Sequence, residues 1–189
     1  MTKIKGALLM EYVRLIRDNK DKDWKKYLDE EDSKIIFGAV MPNAWYPLEV
    51  YEHAGKAIFK EIAQGDLKNA KIWGRFVIED LGNRFYHNLV RFQDPEGALE
   101  RCMTFILQWF QFDDPNFQAI QVEKVGPKQV KMTLRNDHPY DYFEAYAYQS
   151  LGTFERIVEL NGGKEVKAEI TTQNYKSNTP SVTIMVSWK

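Results

Sequence analysis

The sequence is poor in the residues that build the commonest functional sites. It holds one cysteine, Cys102, and three histidines, His53, His87 and His138, in 189 residues. A single thiol excludes an internal disulfide and fits a reducing compartment. None of the histidines falls in a HExxH or HxH pattern, and there is no CxxC, so spacing predicts no metal site. No run approaches the ~18 apolar residues of a membrane span. Neither sign of charge dominates: 26 Lys and Arg face 27 Asp and Glu, a net charge of −1. That leaves no global field toward nucleic acid or an anionic membrane. Lysines and arginines do not interleave with aromatics as in a nucleic-acid module.

Catalytic signatures are missing as well. No GxSxG elbow, P-loop or GxGxxG is present, and Gly162-Gly163 reads as a helix stop. His138 lies near Asp137, Tyr140 and Asp141 in a turn-rich segment, with no serine or cysteine beside them. Acidic residues are otherwise scattered. The chain is therefore expected not to be an enzyme. Its opening stretch, MTKIKGALLMEYVRL, has an apolar run interrupted by Glu11 and Arg14 and no small-residue cleavage site. It does not read as a signal peptide, and the expected location is the cytoplasm.

What the sequence does hold is aromatic residues, 14% of the chain. With 28% charged and 44% hydrophobic residues, the rest is ordinary globular composition. The length suits one domain, 1–189, with a sizeable core.

Ile4, Leu8, Tyr12, Leu15 and Ile16 predict a helix over about 5–19. A charged stretch follows, in which Trp24, Tyr27 and Leu28 suggest a short helix. Residues 33–45 read as a loop anchored by Ile35 to Phe37. Pro47 suits the first position of a helix carrying Leu48, Tyr51, Ile58 and Ile62, ended by Gly65. A long helix is expected over 67–92, with Trp73, Phe76, Val77, Leu81, Phe85 and Leu89 on its buried stripe. Gly74 and Gly82 inside it each cost roughly 1 kcal/mol against alanine and point to close approach of a neighbour. Asp94-Pro95-Glu96-Gly97 is a helix-start signal.

The run Ala98–Phe112 is the most apolar in the chain and reads as a helix buried on several sides. Leu99, Met103, Ile106 and Phe110 form one face; Cys102, Phe105, Trp109 and Phe112 form the next.

The period then changes to 2. Ile120 and Val122, then Val130, Met132 and Leu134, predict a hairpin broken at Gly126-Pro127. A helix over about 142–160 precedes a second hairpin, with Val166, Ala168 and Ile170 on one strand and Val182, Ile184 and Val186 on the other. The predicted class is α+β: a mainly helical part, 1–114, followed by ββαββ, 115–189, whose four-stranded antiparallel sheet packs against helices.

Several of these stretches resemble known families. Ile4-Lys5-Gly6-Ala7-Leu8-Leu9, with Tyr12-Val13 and Trp24 ahead of Leu28, is similar to the opening of bacterial haem nitric-oxide/oxygen-binding domains. Trp45-Tyr46-Pro47 entering a helix resembles a paralogous myxobacterial family of unknown function. Gly152 in mid-helix, the Gly162-Gly163 stop and Val186-Ser187-Trp188 resemble the four-vinyl-reductase-type domain. These groups share an α+β fold with the small subunits of the TRAPP tethering complex.

The chain also departs from them. Haem domains of this type carry an axial histidine on the helix before the sheet, and Ala98–Phe112 has none. Their Tyr-x-Ser-x-Arg propionate clamp is matched only by Lys131-x-Thr133-x-Arg135. The zinc-binding relatives use cysteines near the C-terminus, absent here. His87 is the remaining haem-ligand candidate by chemistry.

The expectation is a haem-independent ligand-binding or sensory domain, without cofactor or metal. Its helix-lined apolar pocket would be formed by Trp73, Phe76, Tyr86, Phe105, Trp109 and Tyr146 and would take a small apolar ligand. The alternative is an interaction or scaffold module acting as a homodimer or by docking a protein partner.

Overall fold

A computed structural model describes residues 2–84 and 93–189; Phe85, Tyr86, His87 and Leu89 lie outside the described residues. The chain is α+β, as the change of period requires, with two antiparallel sheets. Its contacts divide into two compact units, Met1–Asp66 with Leu107–Pro115, and Leu67–Ile106 with Asn116–Lys189.

The first unit holds a three-stranded sheet that sequence periodicity did not reveal. Strand β1 (Lys3–Lys5) pairs on one side with β2 (Trp45–Pro47) and on the other with β3 (Phe110–Gln111). Strands of two or three residues are too short to show an alternation. Helix α1 (Gly6–Asp18) follows β1 directly, and Pro47 acts as the N-cap of α3 (Leu48–Glu61), not its first residue. Tyr12 of α1 stacks on Tyr51 of α3, centroids 4.4 Å apart and planes 5° apart.

The expected loop over 33–45 is shorter than its composition suggested. Glu30–Ile36 is a helix, α2, and Trp24–Lys26 only a single 3₁₀ turn. The cause is a reciprocal capping box. The Asp32 amide donates to Asp29 Oδ1 at 2.8 Å, and the Asp29 amide donates to Asp32 Oδ2 at 3.1 Å. At the other end, the Arg17 guanidinium donates to the carbonyls of Ile36 (2.7 Å) and Gly38, placing a cation where the helix leaves carbonyls unpaired.

The second unit is layered. Strands β4 (Ile120–Gly126), β5 (Gln129–Arg135), β6 (Lys167–Asn174) and β7 (Ser181–Ser187) form a sheet in the order β4-β5-β7-β6. Its central pairs Val130↔Val186, Met132↔Ile184 and Leu134↔Val182 put six buried apolar side chains on one face, as period-2 alternation demands. Helix α6 (Phe143–Leu160) packs on β6 and β7, and α4 (Leu67–Arg84) packs on α6. Gly162 adopts φ +95°, a left-handed conformation that stops α6.

The α4–α6 crossing is backbone on backbone. A Cβ added at Gly74 would overlap the Gln149 carbonyl oxygen, and one at Gly152 would overlap the Lys71 carbonyl oxygen. Thr153 Oγ1 donates to the Gly74 carbonyl at 3.2 Å. Around this contact runs an ion network. Lys71 and Arg75 reach Glu155 at 2.7 and 3.3 Å, Arg75 reaches Glu159 at 2.7 Å, and Arg156 bridges Glu79 and Glu159 at 3.0 and 2.9 Å. Partial burial alone would raise the Glu159 carboxyl, but hydrogen bonds from Arg75 and Arg156 hold it below the usual range.

Candidate functional site

The glycine contact decides which side of α4 is buried. Ala70, Gly74, Ile78, Leu81 and Gly82 are the buried positions; of the expected stripe Leu81 is among them, Trp73 and Val77 are half-buried and Phe76 is exposed, and Phe85 and Leu89 lie outside the described residues. At about 100° per residue, positions two before and two after Gly74 lie on the opposite side of the helix. These are Ile72, 62% exposed, and Phe76, 53% exposed. Trp73 stacks on Phe76 with centroids 5.3 Å apart and planes 29° apart. Ile72 and Phe76 are therefore exposed on one side of α4, with the half-buried Trp73 stacked on Phe76. Large exposed rings and branched aliphatics in one patch mark a binding surface more often than isolated ones do.

The six residues expected to line a pocket are distributed as follows. Trp73 and Phe76 touch each other. Tyr146 is half-buried on α6, tilted against Phe143 at 6.0 Å. Phe105 and Trp109 are buried one turn apart on helix α5 (Pro95–Trp109), and Trp109 belongs to the first unit. Tyr86 lies outside the described residues, as does His87.

Helix α5 is the expected apolar helix, shifted toward its start signal: Asp94 Oδ1 accepts from the Gly97 amide at 3.0 Å, and the helix ends where β3 begins. It is not buried on several sides. Ala98, Leu99, Cys102, Phe105 and Trp109 are buried, whereas Met103 and Leu107 are exposed. Of the two adjacent faces, the Cys102–Phe105–Trp109 one is the interior. The Cys102 thiol donates to the Ala98 carbonyl oxygen at 3.7 Å, and burial pushes it up to about 12. It is a protonated, packed thiol, neither nucleophile nor ready metal ligand.

The residues of the Lys131-x-Thr133-x-Arg135 motif are engaged on the sheet. They alternate with the buried Val130, Met132 and Leu134, so they share the opposite face of β5. Lys131 pairs with Glu123, Thr133 Oγ1 meets Thr183 Oγ1 at 3.3 Å, and Arg135 donates to Gln121 at 3.2 Å.

Hollows among the described residues lie elsewhere. One, of about 700 Å³, is lined by Asp94, Glu96, Gly97, Glu100, Arg101 and Thr104. Another, of about 260 Å³, is lined by residues that include Trp24, Ser33 and Phe37. Neither lining includes any of the six expected residues. The grouping around His138 is local: its Nδ1 lies 2.7 Å from Asp137 Oδ1, and Asn136 Nδ2 donates to the His138 carbonyl at 3.0 Å.

No protein-family model matches the chain, and no curated protein matches it in sequence. Solved structures do match in shape. An oxygen-binding H-NOX domain related to soluble guanylate cyclases, in its oxygen complex, aligns over 98% of this chain and 95% of its own, with TM-score 0.67 and 14% identity. An H-NOX mutant carrying 4-cyano-L-phenylalanine gives TM-score 0.68 at 12% identity, covering 98% and 97%. A T. tengcongensis H-NOX mutant gives TM-score 0.66 at 11% identity, covering 98% of both chains. At such identities the likeness speaks for architecture alone. No helix among the described residues is long and apolar enough to cross a membrane. The chain thus has the α+β fold of the H-NOX domains.

Proposed function

We propose that this protein is a non-enzymatic ligand-binding or sensory domain that works without haem, and that its ligand is a small, flat, apolar molecule seated against Ile72, Trp73 and Phe76. The observation that carries this reading is the exposure of Ile72 and Phe76 on α4, with the half-buried Trp73 stacked on Phe76, in a fold otherwise used by H-NOX domains. A ring face left in water is surface that a flat apolar ligand would cover, at a gain of roughly 25 cal/mol per Å² of apolar area buried.

The residues present do not fit a haem held in the manner that the family resemblance implies. Helix α5 offers no histidine; of its two sulfur side chains, the Cys102 thiol is buried and hydrogen-bonded within the helix, and Met103 is exposed on another side. The β5 residues that would clamp propionates are instead bonded to Glu123, Thr183 and Gln121. Purified protein is expected to be colourless and to give no Soret band of a ligated iron when titrated with haemin. A sharp Soret band at one equivalent, lost in His87→Ala, would overturn haem independence and assign the axial position to His87.

A second reading, docking of a protein partner or of a second copy, is favoured by the same Ile72 and Phe76 exposure. A complex burying about 1,000 Å² or more over α4 would support it. Light scattering at micromolar protein, alone and with the ligand, separates the two readings.

A further inference from the structure

We propose that Asp29, Asp32 and His53 form a binding site for a divalent cation of the zinc class. One donor atom from each lies within 4.8 Å of the other two. The donors come from two elements of the first unit: Asp29 and Asp32 open α2, and His53 projects from the middle of α3. Sequence spacing did not predict this site, because 21 residues separate Asp32 from His53 and only the packing of α2 on α3 unites them.

The capping box explains why the two carboxylates face each other. It does not explain the charge. The Asp32 side chain is 4% exposed, and an ionised carboxylate so buried needs a compensating charge. Its hydrogen-bond partners are the Asp29 amide at 3.1 Å and His53 Nδ1 at 2.8 Å. Asp29 and Asp32 are joined in the same turn by Glu30 and Glu31, and the only lysine there, Lys34, pairs with Glu30 at 2.8 Å. The local excess is negative.

A carboxylate oxygen without a hydrogen-bond partner lies on the same helix as His53. Glu49 Oε2 is buried without a hydrogen-bond partner. Glu49 precedes His53 by one helical turn, so both share one side of α3.

The donor set selects the ligand. One imidazole nitrogen with carboxylate oxygens suits borderline divalent ions such as Zn²⁺ and Co²⁺. Bonds of about 2.0–2.2 Å place tetrahedral donors roughly 3.3 Å apart. The present 2.8 Å between Asp32 and His53 needs an opening of about half an ångström, and the His53 side chain, 45% exposed, is free to swing by that much. The cation takes the place of the Nδ1–Oδ2 hydrogen bond, whose proton passes to solvent, and water fills the open side.

The test is calorimetric titration of the full chain with Zn²⁺, alongside visible absorption with Co²⁺. The expected result is one equivalent bound, a raised melting temperature, and Co²⁺ bands of a nitrogen–oxygen site without thiolate charge transfer. His53→Ala is expected to weaken Zn²⁺ binding at least tenfold and to abolish the rise in melting temperature. Asp32→Asn, which keeps the shape and the acceptor for the Asp29 amide, gives the same loss with the helix intact. His87→Ala and His138→Ala leave binding unchanged, and these complete the set of histidines in the chain. No binding at millimolar Zn²⁺, or binding that survives both His53→Ala and Asp32→Asn, overturns the site.

Discussion

Replacing Gly74 or Gly152 by alanine is expected to destabilise the protein by about 3 kcal/mol or more, the reverse of what helix propensity dictates. In an exposed helix, glycine to alanine gains roughly 1 kcal/mol. Here each new methyl would overlap a carbonyl oxygen of the facing helix, Gln149 in one case and Lys71 in the other. Backbone cannot rotate aside as a side chain can, so α4 and α6 must separate. Separation also stretches the Thr153 hydrogen bond and the bridges from Lys71 and Arg75 to Glu155, and overpacking of this kind commonly costs 1–3 kcal/mol before such losses. The two glycines report on one crossing, so the double variant is expected to cost clearly less than the sum of the singles. Urea unfolding of the three variants measures this. A stabilised Gly74→Ala variant would mean that the helices do not meet backbone to backbone.

In the first unit, Tyr12→Ala is expected to cost about 4 kcal/mol. Tyr12 is 1% exposed and lies parallel to Tyr51. Truncating a large buried aromatic side chain typically costs 3–5 kcal/mol, of which the ring pair accounts for about 1 kcal/mol. Ile72→Ala, on the exposed side of α4, is the contrast and should stay within about 0.5 kcal/mol of the parent. Far-UV circular dichroism during thermal melting gives both values. A loss under about 1.5 kcal/mol for Tyr12→Ala would show that α1 and α3 do not share a close-packed core.

The elements that were legible in the sequence were those with a sustained period. Val130, Met132 and Leu134 alternate cleanly because β5 is a central strand with one buried face, and α6 carries its inner residues over five turns. Short elements left no such signal: β1, β2 and β3 have two or three residues each. Helix α2 was hidden because its stability comes from the Asp29–Asp32 box and the Arg17 cap, not from an apolar stripe.

On α4 the glycine, and not the rings, carries the information about which side is buried. The aromatic residues suggested the buried side, whereas Gly74 marked it, since a glycine inside a helix permits the closest approach of a neighbour. Once Gly74 faces α6, Ile72 and Phe76 must point away. The Asp32–His53 contact was not legible at all, because it depends on how two helices pack. On α5 the apolar content is legible in the sequence and its distribution is not: Met103 and Leu107 are exposed, which narrows the interior face to the one holding Cys102.

The most direct measurement is binding of an uncharged flat aromatic probe, the fluorescent N-phenyl-1-naphthylamine, whose fused rings present an apolar face, to native wild type, Phe76→Ser and Ile72→Ser, with near-UV circular dichroism to confirm intact packing. The account predicts saturable binding to wild type that falls at least tenfold in Phe76→Ser and severalfold in Ile72→Ser. Equal binding to all three proteins, or none to wild type, would contradict a ligand surface on α4.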